Sequence, residues 1–146
     1  MGTRPSDFEG MDEANAVWDF IMGEGLFFHD RLQLVQDSFN AFKGWGIKPN
    51  FYIIIRGRAT KFVAKSLSNT AFADEDISNL SDIHSALAAL SDAGVRIGVC
   101  KDALANGSIS EDNVAPFATP EGHAVEVGIA LQNKGYAYMR IDAKPG

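Results

Sequence analysis

The sequence predicts an α/β protein, a three-layer α/β/α sandwich around a mainly parallel sheet. Three observations carry that prediction. The run "FYIII", Phe51 to Ile55, is apolar at every position rather than at alternate ones, so its strand must be covered on both faces and sit inside a sheet. Apolar stripes at steps of three and four alternate along the chain with short β-branched runs, the spacing of βαβ units. At 146 residues, with no internal repeat, linker or low-complexity tract, the chain is sized for one domain with one core.

Taken in order, "NAVWDFIM" (Asn15 to Met22) mixes β-branched and aromatic residues before a Gly-Glu-Gly break and reads as the first strand. Phe28, Leu32, Val35, Phe39 and Phe42 then step by four and three as the stripe of an amphipathic helix, which Gly44 and Gly46 end. The strand "FYIII" follows, and a short helix is expected over Ala59 to Leu67. The polar segment Ser68 to Asn79, with three consecutive acids, is expected to be mobile or to meet a partner. Ile83, Leu87 and Leu90 mark a second amphipathic helix that stops at Gly94. Next come the buried-type strand "VRIGVC" and the short helix "KDALANG". Pro116 and Pro120 punctuate the chain before the last helix, "GHAVEVGIALQNKG", and the final strand, "YAYMRI". Residues 1–14 read as an N-terminal arm and 15–146 as the single domain.

A net charge of −6 leaves too few clustered cations to grip a polyanion, which argues against nucleic acid as a partner. Arg56, Arg58, Lys61 and Lys65 form the densest basic stretch, readable as a solvated helix face or as a small anion site. No apolar run approaches the ~20 residues of a membrane span, so no membrane insertion is expected. The first residues lack the apolar segment of a secretory signal, which points to the cytoplasm, or to the periplasm where a leader peptide has been cleaved. With a single cysteine, the chain can form no internal disulfide. Ten Phe, two Trp and three Tyr are more aromatic surface than one thin domain need bury, an argument for self-association.

The familiar chemical fingerprints are missing. "MGEG" after the first strand lacks the dinucleotide spacing, "RGRATK" after the second is not a phosphate-binding P-loop, and no G-x-S-x-G is present. His29, His84 and His123 have no metal-site spacing and read as surface or helix residues. "DEDISN" opens like a calcium loop but has Asn79 where glycine is needed and Ser85 where the bidentate glutamate is needed.

Cys100 is the exception. It ends a predicted strand directly before a short helix, where backbone N–H groups, the helix dipole and the adjacent Lys101 favour a thiolate. The competing reading is a small apolar residue packed at a strand end, since free cysteine is among the most buried residue types. Position along the chain leaves both open.

The segments "WDFIMG", "KPNFYIIIRG", "AGVRIGVCKDAL" and "LQNKGYAYMRI", in this order and spacing, resemble the DsrE/DsrF-like family of sulfur-relay proteins over most of the chain. The resemblance implies a Rossmann-like sheet and homo-oligomers, trimers or hexamers. It also implies a cysteine, here Cys100, that carries sulfur as a persulfide between a donor and an acceptor protein, without metal or organic cofactor. Lys101 stands where a small residue is expected after the cysteine, and Arg56 where a small or apolar one is more usual. In the sulfurtransferase-type reading, Arg56 and Lys101 stabilise the anionic sulfur and Gly57 lets the backbone come close. The alternative is a non-catalytic homo-oligomeric binding or scaffold protein of the same fold.

Overall fold

A computed structural model describes residues 3–141. Five strands, β1 (Glu13–Phe20), β2 (Lys48–Ile55), β3 (Arg96–Cys100), β4 (Thr119–Glu121) and β5 (Ala137–Ile141), form one sheet in the order β4-β3-β2-β1-β5. Every neighbouring pair in it is parallel. The helices are α1 (Gly25–Gly44), α2 (Leu80–Asp92), α3 (Lys101–Asn106) and α4 (Ala124–Asn133).

Strand order explains the layers. From β1 through α1 to β2, and from β2 through α2 to β3, the chain moves across the sheet in one direction, and right-handed crossovers put both helices on the same face. After β4 it reverses across the whole sheet to β5, so α4 lands on the opposite face and packs over β1, β2 and β5.

Alternation along each strand splits the core accordingly. Trp18, Phe20, Phe51, Ile53 and Ile55 face α1 and α2 and join Phe28, Leu32, Val35, Leu87 and Leu90 in a single apolar cluster. Phe28 is its hub, with ring centroids 5.1 Å from Phe20 and 4.4 Å from Phe62. The other face carries a smaller cluster, Val17, Tyr52, Ile54 and Cys100 under Ala124 and Leu131 of α4.

α1 begins earlier than its apolar stripe because the Glu24 side chain accepts hydrogen bonds from the N–H groups of Leu26 and Phe27. The expected helix after β2 is a tighter 3-10 segment, Gly57–Val63, buried from Ala59 onward. β4, only three residues long with Pro120 inside it, is an edge strand among what the sequence marked as turn punctuation. Ahead of β1, Phe8 stacks on Trp45 at 4.9 Å and Arg4 donates to the Trp45 carbonyl at 2.9 Å, so the arm lies against the end of α1.

The segment expected to be mobile is tied down. Ala71 N–H donates to the Gly107 carbonyl at 2.9 Å, and Phe72 packs against the main core. Glu75 accepts from Lys61 at 2.5 Å, and Lys61 is 1 % exposed, lying 5.5 Å from the centroids of both Phe62 and Phe72. The basic stretch is therefore not one solvated face: Lys61 belongs to the interior.

Candidate functional site

In an open parallel sheet the carboxyl ends of the strands are where loops and helix starts converge, most of all where successive connections leave on opposite faces. Here β2 exits toward α2 on one face and β4 toward α4 on the other, with β3 between them. Cys100 is the last residue of β3.

A pocket of about 600 Å³ opens at this point. Its lining comes from Arg56, Gly57 and Arg58 after β2, Phe72 and Glu75 ahead of α2, and Cys100, Asp102, His123 and Val125 around the starts of α3 and α4. Cys100 is 9 % exposed and packs in the α4-side cluster, so the two readings of its position meet in one residue: it is core on one flank and pocket wall on the other.

The neighbours predicted for its sulfur are rearranged. Arg56 lines the pocket but is committed to Asp19, its Nε and Nη2 each 2.9 Å from a carboxylate oxygen, and that pairing raises the guanidinium further above its ordinary range against the opposing effect of burial. Asp19, 5 % exposed, also accepts a hydrogen bond from the Tyr138 hydroxyl. Partial desolvation first, and then this carboxylate, raise the Tyr138 phenol above its usual range. The positive charge expected to serve the sulfur is thus shared with a buried acid. Lys101 is exposed on the first turn of α3 and is not among the residues lining the pocket. α3 has only six residues, which limits the dipole expected to act on the thiol.

Gly57 lines the pocket at φ +59°. A Cβ there would meet only Ile21 at 3.6 Å or more, so the position favours glycine for its left-handed backbone rather than for close approach.

Two further groups share the pocket with the thiol: Asp102, which the sequence reading did not single out, and His123, which it took for a surface or helix residue. His123, the residue before α4, and Asp102, in the first turn of α3, are joined by a hydrogen bond of 2.6 Å from Nδ1 to Oδ2, and both line the pocket. Glu121 is the register partner of Cys100 across β3 and β4. It is ion-paired with Arg96, and burial raises its carboxyl above the usual range.

Beneath Cys100, Tyr52 is 3 % exposed and its hydroxyl finds no hydrogen-bond partner among the described residues. It borders a void of about 10 Å³, with Gly98, Cys100 and Glu121 around it, barely room for one water. Gly98 is needed here, because a Cβ would run into the Tyr52 hydroxyl and come within 2.8 Å of Glu121 Oε2.

Among the described residues no three His, Cys, Asp or Glu side chains are placed to hold a metal ion. No described helix is long and apolar enough to cross a membrane.

The fold and the position of this pocket define a doubly wound parallel α/β domain with its receptive loops at the carboxyl end of the sheet. Residues 20–141 match the model of the DsrE/DsrF-like family, and the chain belongs to that family. It is similar in structure to a protein of unknown function from Methanobacterium thermoautotrophicum, with a TM-score of 0.70 at 12% identity over 88% of this chain and 99% of the other. That likeness concerns the fold. No curated protein matches the chain.

Proposed function

We propose that the protein is a sulfur carrier of the sulfurtransferase type, with Cys100 holding sulfane sulfur as a persulfide and passing it to a partner thiol. The observation that carries this reading is the placement of the chain's single cysteine on the wall of the carboxyl-end pocket, in a chain of the DsrE/DsrF-like family. The thiolate is the nucleophile in such exchanges, and attack on a sulfane sulfur followed by attack of an acceptor thiolate moves one sulfur without a metal or organic cofactor. With no second cysteine in the chain, the acceptor sulfur must come from another molecule. Arg58 and Arg56 on the pocket rim suit an anionic donor or the anionic persulfide.

Intact-mass spectrometry after incubation with polysulfide or thiosulfate tests the reading. It expects one added sulfur atom on the native chain and none on Cys100→Ser. No addition to the native chain at any donor concentration would count against the carrier.

A second reading, a homo-oligomeric binding or scaffold protein, is favoured by a different observation. Val125 and Ile129, four apart on α4, are 66% and 54% exposed, and Tyr138 and Met139 of edge strand β5 are 42% and 41% exposed. Apolar surface of this kind marks an interaction site, so self-association, as trimers or hexamers, is part of the proposal under either reading. Light scattering that returned the monomer mass across a wide concentration range would remove it.

A further inference from the structure

The pocket brings three groups to one cavity in a nucleophile, base and orienting-acid arrangement: Cys100, His123 and Asp102. We infer that His123, held by Asp102, is the proton carrier for Cys100. The inference rests on the sulfur-carrier reading for its substrate class, a persulfide or polysulfide donor.

The chemistry balances with these groups alone. In the tautomer fixed by the 2.6 Å bond, His123 Nδ1–H donates to Asp102 and Nε2 is left as the ring's proton acceptor. Nε2 takes the Cys100 proton and the thiolate attacks the terminal sulfur of R–S–SH. The Cys100 Sγ–S bond forms as the donor's S–S bond breaks, and the leaving R–S⁻ takes the proton back from His123. The products are Cys100–S–SH and R–SH, with no net oxidation. A proton carrier in such a step typically contributes about 10²–10⁴-fold in rate.

Placement supports the pairing. Ala124 packs with Cys100 in one cluster, Glu121 is the register partner of Cys100, and His123 lies between those two residues in sequence. Asp102 is two residues beyond Cys100, so the end of β3 supplies the nucleophile and the first turn of α3 the group that orients the base.

The other charged groups around the cavity have partners of their own. Arg56 is engaged by Asp19, and Arg58 and Lys61 both meet Glu75, while Glu121 is held by Arg96. Lys101 and Glu126, on the first turns of α3 and α4, are exposed and line no wall of the pocket. Among the described residues His123 and Asp102 form an ion pair only with one another, and that bond uses Nδ1 and not Nε2. The His123 side chain makes no capping hydrogen bond to α4 and is 60% exposed, so its replacement spares the fold.

The test measures two rates against pH for the native chain, His123→Gln, Asp102→Asn and Glu121→Gln: alkylation of Cys100 by iodoacetamide, and sulfur loading from a polysulfide. The expected result is an inflection in the native profile that His123→Gln abolishes, together with a fall in loading of about 10²-fold. Asp102→Asn is expected to give a smaller fall in the same direction with the inflection displaced, and Glu121→Gln to leave the inflection in place. Superimposable profiles for the native chain and His123→Gln would overturn the inference, as would an inflection that vanishes only in Glu121→Gln. If Cys100 loads sulfur but ignores His123, the inference fails and the carrier reading stands. If alkylation depends on His123 but no sulfur loads, the pairing stands and the carrier reading fails.

Discussion

The two faces of the sheet are built from opposite materials. On the α1 and α2 side, aromatic and aliphatic side chains fill the interface, and Phe20, Phe28, Phe62, Ile53 and Ile55 have no measurable exposure. On the α4 side the same strands present Asn15 hydrogen-bonded to Asn50 at 2.7 Å, Asp19 with Arg56 and Tyr138, Arg96 with Glu121, and the unpartnered Tyr52 hydroxyl. The difference follows from coverage: two long helices seal one face, whereas one ten-residue helix only partly roofs the other and leaves polar groups within reach of the pocket. Stability is concentrated on the first face and the candidate chemistry on the second, so substitutions on the two should separate folding from reactivity.

The largest separation is expected from Phe28→Ala, which empties the hub of the first face and should cost about 3–5 kcal/mol in urea unfolding. Cys100 alkylation in whatever fraction stays folded is expected to be unchanged. A loss below about 1 kcal/mol would mean that this face does not dominate stability.

On the second face, Gly98→Ala drives a methyl into Tyr52 and Glu121 and should cost about 1–3 kcal/mol by overpacking. Because the collision lies beside Cys100, it should also change the alkylation rate. A stable variant with native reactivity would show that the void beneath Cys100 is more yielding than its close contacts suggest.

Asp19→Asn keeps the shape of the side chain and removes its charge from the pair with Arg56. Arg56 is 38% exposed and solvent screens part of the interaction, so about 1–2 kcal/mol is expected rather than the full value of a sealed ion pair. Freed from the carboxylate, Arg56 should serve an anionic donor better, and sulfur loading should speed up. Slower loading would instead give Asp19 a part in positioning the pocket wall.

The smallest effect is a pH dependence on the well-packed face. Burial lowers the pKa of His84, outweighing the hydrogen bond that its ring makes to the Phe62 carbonyl at 2.9 Å. A histidine depressed in the folded state contributes stability that is complete above its unfolded value, about 6.5, and lost as pH falls through the window beneath it. Melting temperature should therefore drop through that window in the native chain and drop less in His84→Gln. Parallel curves would remove His84 as the cause.

How far each face could be read from sequence differs in the same way. The periods of Phe28, Leu32, Val35 and Phe39 and of Ile83, Leu87 and Leu90 placed α1 and α2, because burial against a flat sheet imposes that spacing. The unbroken run Phe51 to Ile55 placed β2 inside the sheet, between β1 and β3. β4 escaped because three residues with a proline carry no period.

Cys100 was legible from its strand-to-helix position, but its neighbours were not. An aspartate inside "VWDFI" signals a buried acid, yet only the pairing of β1 with β2 brings Asp19 to Arg56, across 37 positions of sequence. His123 reaches Asp102 because β4 pairs with β3, with Glu121 opposite Cys100, and so brings the start of α4 to the start of α3, a placement set by strand pairing and invisible in local pattern.

The central claim is that the polar face holds one transferable sulfur on Cys100. Its most direct measurement is the sulfane sulfur content per chain, by cyanolysis, of the polysulfide-treated and desalted protein before and after mixing with an acceptor thiol, in the native chain and Cys100→Ser. The account predicts one sulfur per native chain, discharged to the acceptor, and none on the variant. Equal sulfur on both chains, or a native chain whose sulfur the acceptor cannot remove, would contradict it.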